Sequence, residues 1–258
     1  MPKHIYNLKR DRIDIEKKFF EISINTQLPP IFDIRVNNRY IPAILDQGQL
    51  GSSGPNEISN SIKYCLNKET SNMAIWQPSR LYIYYYTRLI EKEPLDKDTG
   101  ISIEGAWQAI HQYGVCNESN WPYNISKYKV QPPNYCITAG KTNSVEFLYF
   151  NVNQDINSIK QALFSGSNII FGIEVYESFE SQQVTSTGVI PIPDTTKEQL
   201  LGRHCVSLWG YDDINKIFIG MNSWGTNWGL QGYFMIPYKY VLDPSLSSDF
   251  WVVKYFKD

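Results

Sequence analysis

"MNSWGTNWGLQGYF", residues 221–234, carries two tryptophans and three glycines in fourteen positions and decides how the rest of the chain is read. It closes one β-rich run, "KIFIGMNSW", and opens another, "GYFMIPY", so Asn222 stands at a strand end. Taken alone, Asn222-Ser223-Trp224-Gly225 is a turn with a packed Trp. Two upstream pieces change that. "GRHCVSLWGYDD" (202–213) places His204 at the start of a strand after Gly202. "DQGQLGSSGPNE" (46–57) is a loop with Gln47 early, glycines around its middle and Ser53 just ahead of an apolar-periodic helix. Each piece has a bland role: a structural His, a Ser that caps a helix, a Gln that satisfies loop amides. Together they supply a nucleophile position, a base and a group to orient the base, the minimum set for covalent acyl transfer.

The bulk properties leave room for that chemistry. The chain has 258 residues, 42% hydrophobic and 19% charged, enough for one large domain or two lobes. Its net charge of −2 and the absence of a basic stripe argue against nucleic acid as a partner. Aromatics make up 14%, which suits a tightly packed fold or a groove gripping an extended ligand. No run approaches the ~18 apolar residues of a membrane span, and the charged start "MPKHIYNLKRDRIDIEKKFF" has no signal-peptide core. An intracellular or virion setting is therefore favoured. Cys65, Cys116, Cys136 and Cys205 form no C-x-x-C pair, so neither a metal site nor a cofactor is expected. Free thiols are the default, with a Cys116–Cys136 bridge left open.

Along the chain, residues 1–27 are polar and charged, and "LPPIFDIR" breaks that pattern at Leu28. From Pro55 onward, Ile58, Ile62, Cys65 and Leu66 recur at helical spacing. "PSRLYIYYYTRLIEK" reads as a second helix opened by Pro78 and Ser79, and "SIEGAWQAIHQYG" as a third, ended by Gly114. Beyond the short helix "NSIKQALFSG" the runs are β-rich: "NIIFGIEVY", "HCVSLWGYDD", "KIFIGMNSW" and "GYFMIPY", with a hairpin turn at Asp212, Asp213 and Asn215. The expectation is a helical lobe followed by an antiparallel β lobe, with a ligand site where they meet.

The set of residue 53, His204 and Asn222, with the His and Asn about 150 and 170 residues downstream, resembles the papain-like cysteine proteases, whose signature is a loop Cys with distant His and Asn. The stretches that carry the resemblance are "DQGQLGSS", "GRHCVSLWGYDD", "MNSWGTNWGLQGYF", "IHQYGVCNESNWPY" and "PPIFDIR", spanning roughly residues 28 to 240. The first of them looks most like bacterial and viral branches. The resemblance implies an α+β, two-lobed fold with a helical lobe (28–135), an antiparallel β-barrel-like lobe (136–258) and the cleft between them. It implies a peptide or protein substrate, with His204 as base and Asn222 holding its imidazole. Gln47 and the backbone N–H of Ser53 would form the oxyanion hole, Trp224 would shield the His–Asn bond, and the Gly100–Ser102 loop would pair with substrate backbone. It also implies that residues 1–27 act as a short pro-segment or clamp that inhibits from within the chain. No His-rich insertion appears in the first half, which points to endopeptidase action.

The chain departs from the family where it matters most: position 53 is Ser, not Cys. A His-paired thiol ionises readily. A hydroxyl needs a base stabilised as it takes the proton, commonly by a buried carboxylate, and Asn222 is neutral. Ser53 is thus expected to be a very poor nucleophile. A Cys-to-Ser replacement that silences the site fits, as does a naturally inactive, peptide-binding relative; the presence of Gln47, His204, Asn222 and Trp224 favours the former. An acyltransferase or transglutaminase also uses Cys and His but calls for an acidic orienter, against Asn-Ser-Trp-Gly.

Overall fold

The computed structural model describes residues 3–12, 18–21, 27–70, 76–142 and 147–255. The first half folds as the apolar spacing dictates. Helix α1 runs Ser53–Glu69 and buries Ile58 and Ile62. Helix α2, Arg80–Ile90, is opened by Ser79, whose hydroxyl accepts the Tyr82 N–H. Helix α3, Ile103–Tyr113, starts with Ser102 accepting the Gly105 N–H and stops at Gly114, whose φ of 70° is a conformation glycine adopts freely. A shorter helix, α4 (Asn134–Thr142), follows. Leu81, Trp107 and Ile110 fill the space between these helices, each side chain contributing roughly 1.5–3 kcal/mol by burial.

Among the described residues the sheet is seven-stranded and antiparallel, and all of its strands but the first come from the second half. Its strands are β1 (Ile31–Asp33), β2 (Phe147–Asn151), β3 (Ile169–Tyr176), β4 (Leu200–Asp212), β5 (Ile217–Met221), β6 (Tyr233–Pro237) and β7 (Ser247–Tyr255). The order β2-β7-β3-β4-β5-β6 is an open path. Strand β1 joins β4 at Gly210–Asp212, just past the point where β3 ends its pairing at Leu208. Helices α5 (Ile156–Phe164), α6 (Gln182–Thr187) and α7 (Tyr238–Leu242) complete this half. Phe171, Val206, Trp209, Phe218 and Phe234 form its core.

Two expectations need correction. His204 lies within β4, paired with Ile173, because the strand begins at Leu200. The expected helical lobe, 28–135, includes Phe32, Ile34, Tyr40 and Ile44, yet these pack on the sheet's core. Their backbone is fixed there by β1 and by the Gly225 N–H bonded to Leu45 O. All four cysteines are buried and unbridged.

Of the N-terminal segment, residues 1–2, 13–17 and 22–26 lie outside the described residues. Residues 3–12 run as an extended arm between the two halves. The Leu8 N–H bonds to Arg203 O on the sheet side and the Lys9 N–H bonds to Ile101 O on the helical side. Further on, Phe20 and Asn151 bond through their backbones beside β2.

Candidate active site

Helix α1 lies across β4, and the match of their spacings aims Ser53. One helical turn advances about 5.4 Å and two strand residues about 6.8 Å, so residues four apart on α1 meet residues two apart on β4. Ser53 Oγ accepts the Cys205 N–H at 3.2 Å, and Glu57 Oε2 accepts the Ser207 hydroxyl at 2.7 Å. Burial pushes the Glu57 carboxyl up to about 8. Ser53 is not the helix cap: it is the first residue of α1, and Ser52 holds the cap position. The start of a 17-residue helix is the positive end of its dipole and favours negative charge.

His204 and Asn222 meet beside it. His204 Nε2 and Asn222 Oδ1 are 2.8 Å apart, and both residues are buried. The same Asn222 oxygen accepts the Ser223 N–H, which locks its orientation. His204 Nδ1 is buried without a partner. Trp224 lies over the imidazole at 4.8 Å between centroids, flanked edge-on by Phe179 and Trp228. Burial, followed by the favourable Asn222 bond and the nearby His4, sets the balance on His204 and holds its pKa down to about 3. The imidazole is therefore neutral with the arm in place.

Gln47 is fully buried. Its Nε2 donates to Leu50 O at 3.0 Å and its Oε1 accepts the Ser223 hydroxyl at 2.9 Å. The Gln47 N–H bonds to Ser223 O, so the loop before Ser53 is tied to the turn after Asn222. Sequence reasoning passed over the residues that brace this loop. Tyr123 donates to Gln47 O at 2.8 Å and its hydroxyl lies 2.5 Å from Ser52 Oγ. Arg80 stacks on the Tyr123 ring at 3.7 Å, donates to Asp46 O and Asn56 Oδ1, and grips Glu118 through two nitrogens. Their signal was "NWPY" for Tyr123 and an Arg at a helix start for Arg80; neither announces a partner in another segment.

The Gly100–Ser102 loop lines the cleft, but its members differ in use. Ile101 O receives the arm, whereas Ser102 is spent as the α3 cap and as a donor to Glu91. The arm covers the site. His4 stacks on Trp224 with centroids 3.7 Å apart, and Tyr6 meets the His204 ring edge-on at 5.9 Å. Glu180 secures that end by accepting the Lys3 and His4 N–H groups and the Tyr6 hydroxyl. Among the described residues no group of three His, Cys, Asp or Glu is placed to hold a metal, and no helix is long and apolar enough to cross a membrane.

Comparison with known proteins matches residues 91–242 to the papain family cysteine protease, a span that holds His204 and Asn222 and leaves out Ser53. An uncharacterized peptidase C1-like protein, L477, of Acanthamoeba polyphaga mimivirus is 39% identical over 249 residues, covering 92% of this chain and 79% of its own. Cathepsin B-like CP3 of Giardia intestinalis is 25% identical over 89% of this chain and 75% of its own. Xylellain, a cysteine protease from Xylella fastidiosa, superposes with a TM-score of 0.89 at 31% identity, over 98% of this chain and 96% of its own. Digestive procathepsin L 3 of Tenebrio molitor shares the fold with a TM-score of 0.67 at 21% identity, over 90% of this chain and 72% of its own.

Proposed function

Since the chain belongs to the papain family of cysteine proteases, we propose that it carries an endopeptidase site silenced at two levels, by Ser53 in the nucleophile's place and by residues 3–12 lying across it. The observation that carries this reading is the buried His204–Asn222 pair at 2.8 Å, set beside Ser53 with Nδ1 unpartnered. In the proposed roles, Nδ1 of His204 takes the nucleophile's proton and later delivers it to the leaving amine. Asn222 Oδ1 keeps the ring turned and Trp224 keeps water from that bond. The Ser53 N–H at the start of α1 and the Gln47 amide steady the oxyanion; Gln47 Nε2 spends one N–H on Leu50 O and has its second to give.

The neutral orienter explains the silence of Ser53. A thiol reacts through a thiolate–imidazolium pair, and its charge is stabilised by the start of α1. A hydroxyl has no comparable ionisation, and Asn222 lends the imidazolium no opposing charge. The arm adds a second block. By burying His204 it disfavours the imidazolium even if a thiol were present. The test is Ser53→Cys in the full chain, with the arm loosened by Tyr6→Ala. The expected outcome is fast iodoacetamide labelling at mildly acidic pH and hydrolysis of unstructured peptides, both lost on adding His204→Ala. A thiol of ordinary reactivity, with no hydrolysis across peptides of every side-chain class, sinks the reading.

A further inference from the structure

The arm shows what kind of side chain the cleft holds next to the nucleophile loop. Asn7 is flanked by two glycines. A Cβ on Gly51 would lie 1.9 Å from Asn7 Oδ1, and one on Gly100 would lie 1.8 Å from Asn7 O. Gly100 has a φ of +67°, so a larger residue is excluded there by conformation as well as by space. The floor of this slot is Asp98. Asn7 Nδ2 donates to Asp98 O at 3.1 Å and to Asp98 Oδ1 at 3.2 Å.

The floor is a built one. Asp98 Oδ2 accepts the Gly51 N–H at 2.8 Å, and Oδ1 also accepts the hydroxyl of Tyr84. That Tyr84 oxygen in turn accepts the Gly100 N–H at 3.1 Å. Tyr84 is fully buried with the Arg88 guanidinium 4.3 Å over its ring. The two glycines and the carboxylate are thus joined by hydrogen bonds in one frame. Both floor atoms that meet Asn7 are acceptors, so the slot rewards an N–H donor and repels an acid.

Position in the cleft says which part of a ligand enters. His204 must face the leaving amine, and Tyr6, His4 and Trp224 mark that side. The slot lies on the other side, against Gly51, two residues before Ser53. We propose that the Gly51–Gly100–Asp98 slot is the subsite for the side chain of the residue that supplies the scissile carbonyl, and that it selects slim N–H donors, carboxamides above all. This rests on the peptidase reading above, but the test needs no catalysis.

Two measurements decide it. In the otherwise intact chain, Asn7→Asp places an acid over Asp98 and is expected to lower the hydrogen-exchange protection of the Lys9 amide by roughly tenfold or more; adding Asp98→Asn restores it. In a Leu8→Asp protein that retains Ser53, labelled hexapeptide pools with the third residue fixed as Asn, Gln, Asp or Leu are compared by anisotropy. Asn and Gln pools should bind about 10- to 100-fold tighter than Asp or Leu pools, because a site built for a donor is left unpaired by the others. Asp98→Asn should invert the Asn-over-Asp preference. Equal binding of all pools, or equal weakening of all of them by Asp98→Asn, overturns the proposal and leaves Asp98 as a brace for Gly51. If Leu8→Asp does not fold, Tyr6→Ala serves in its place. A pool preference without hydrolysis in the Ser53→Cys protein keeps the subsite and sinks the peptidase reading, so the two failures are separable.

Discussion

The two ends of the arm are held by different physics. Residues 3–6 bind through rings and one carboxylate: His4 on Trp224, Tyr6 on His204, and Glu180 beneath them. Residues 9–12 bind through a network of charges. Lys9 pairs with Glu91 and Glu93, Arg10 with Glu174, and Asp11 accepts the Glu104 N–H and the Trp251 indole N–H. Arg203 ties this network together by reaching Glu174 and Asp249. Leu8 is the hinge between the two, buried against Ile101 near Gly54 and Gly172. The first end covers His204 and Trp224, and the second supplies the anchor. Protons pull the two ends in opposite directions.

The hinge is the place to break both ends together. Leu8→Asp replaces a side chain that is 6% exposed with a charge that has no partner in that pocket. Lost burial and the cost of an unpaired charge should weaken docking by roughly a hundredfold or more. In the Ser53→Cys background the expected readout is a matching rise in the iodoacetamide labelling rate. A rate within twofold of the unmodified arm would show that residues 3–12 do not gate the site.

The sequence made the proposed site far more legible than the arm that lies over it. Ser53, His204 and Asn222 carry local signals: a loop before an apolar helix, a strand, a Trp-Gly turn. Laying α1 on β4 brings Ser53 to the Cys205 N–H, and the β4–β5 hairpin brings His204 to Asn222. The helix starts at Ser79 and Ser102 were equally readable, because capping is local. The arm was legible only as charged composition. Its fit depends on glycines at 51, 100 and 202, whose absent side chains make room for Asn7 and Tyr6, and no periodicity encodes such a pairing. β1 and β7 were missed for a related reason: Ile31–Asp33 is too short to show alternation, and Ser247–Tyr255 opens with polar residues.

Acid separates the ends. Burial first, then the Asp249 charge, raise Asp11 to about 7. Its raised value means that the docked arm binds a proton that the free arm, at the usual 3.8, gives up. This contribution to docking is complete below pH ~4 and is lost as pH rises through about 7. His204 has the opposite sign. Held down to about 3 against an ordinary 6.5, it favours docking above pH ~6.5 and opposes it as pH falls toward 3. The windows overlap, so the protection of the Leu8 and Lys9 amides should vary little between pH 4 and 7. Asp11→Asn should expose the His204 contribution, with protection falling several-fold per unit as pH drops below 6.5. His204→Gln should expose the Asp11 contribution, with protection falling as pH rises toward 7. Matching slopes in the two variants would show that the ends are not opposed.

The smallest expected effect lies at the outermost contact. His4 stacks almost parallel on Trp224, with an interplanar angle of 4°. Burial lowers its pKa more than the neighbouring Glu180 raises it. A stacked pair of this kind contributes on the order of 1 kcal/mol beyond its area. The backbone bond from the His4 N–H to Glu180 does not depend on the side chain and survives truncation. His4→Ala should therefore release only the tip of the arm. Labelling of the Ser53→Cys thiol is expected to rise about five-fold while the Lys9 amide keeps its protection, since Leu8 and Asp11 still hold. His4→Phe keeps an aromatic face without the titrating nitrogen and should restore slow labelling. If His4→Ala instead strips protection from Lys9 as fully as Leu8→Asp does, the arm detaches as one piece and the division between its ends disappears.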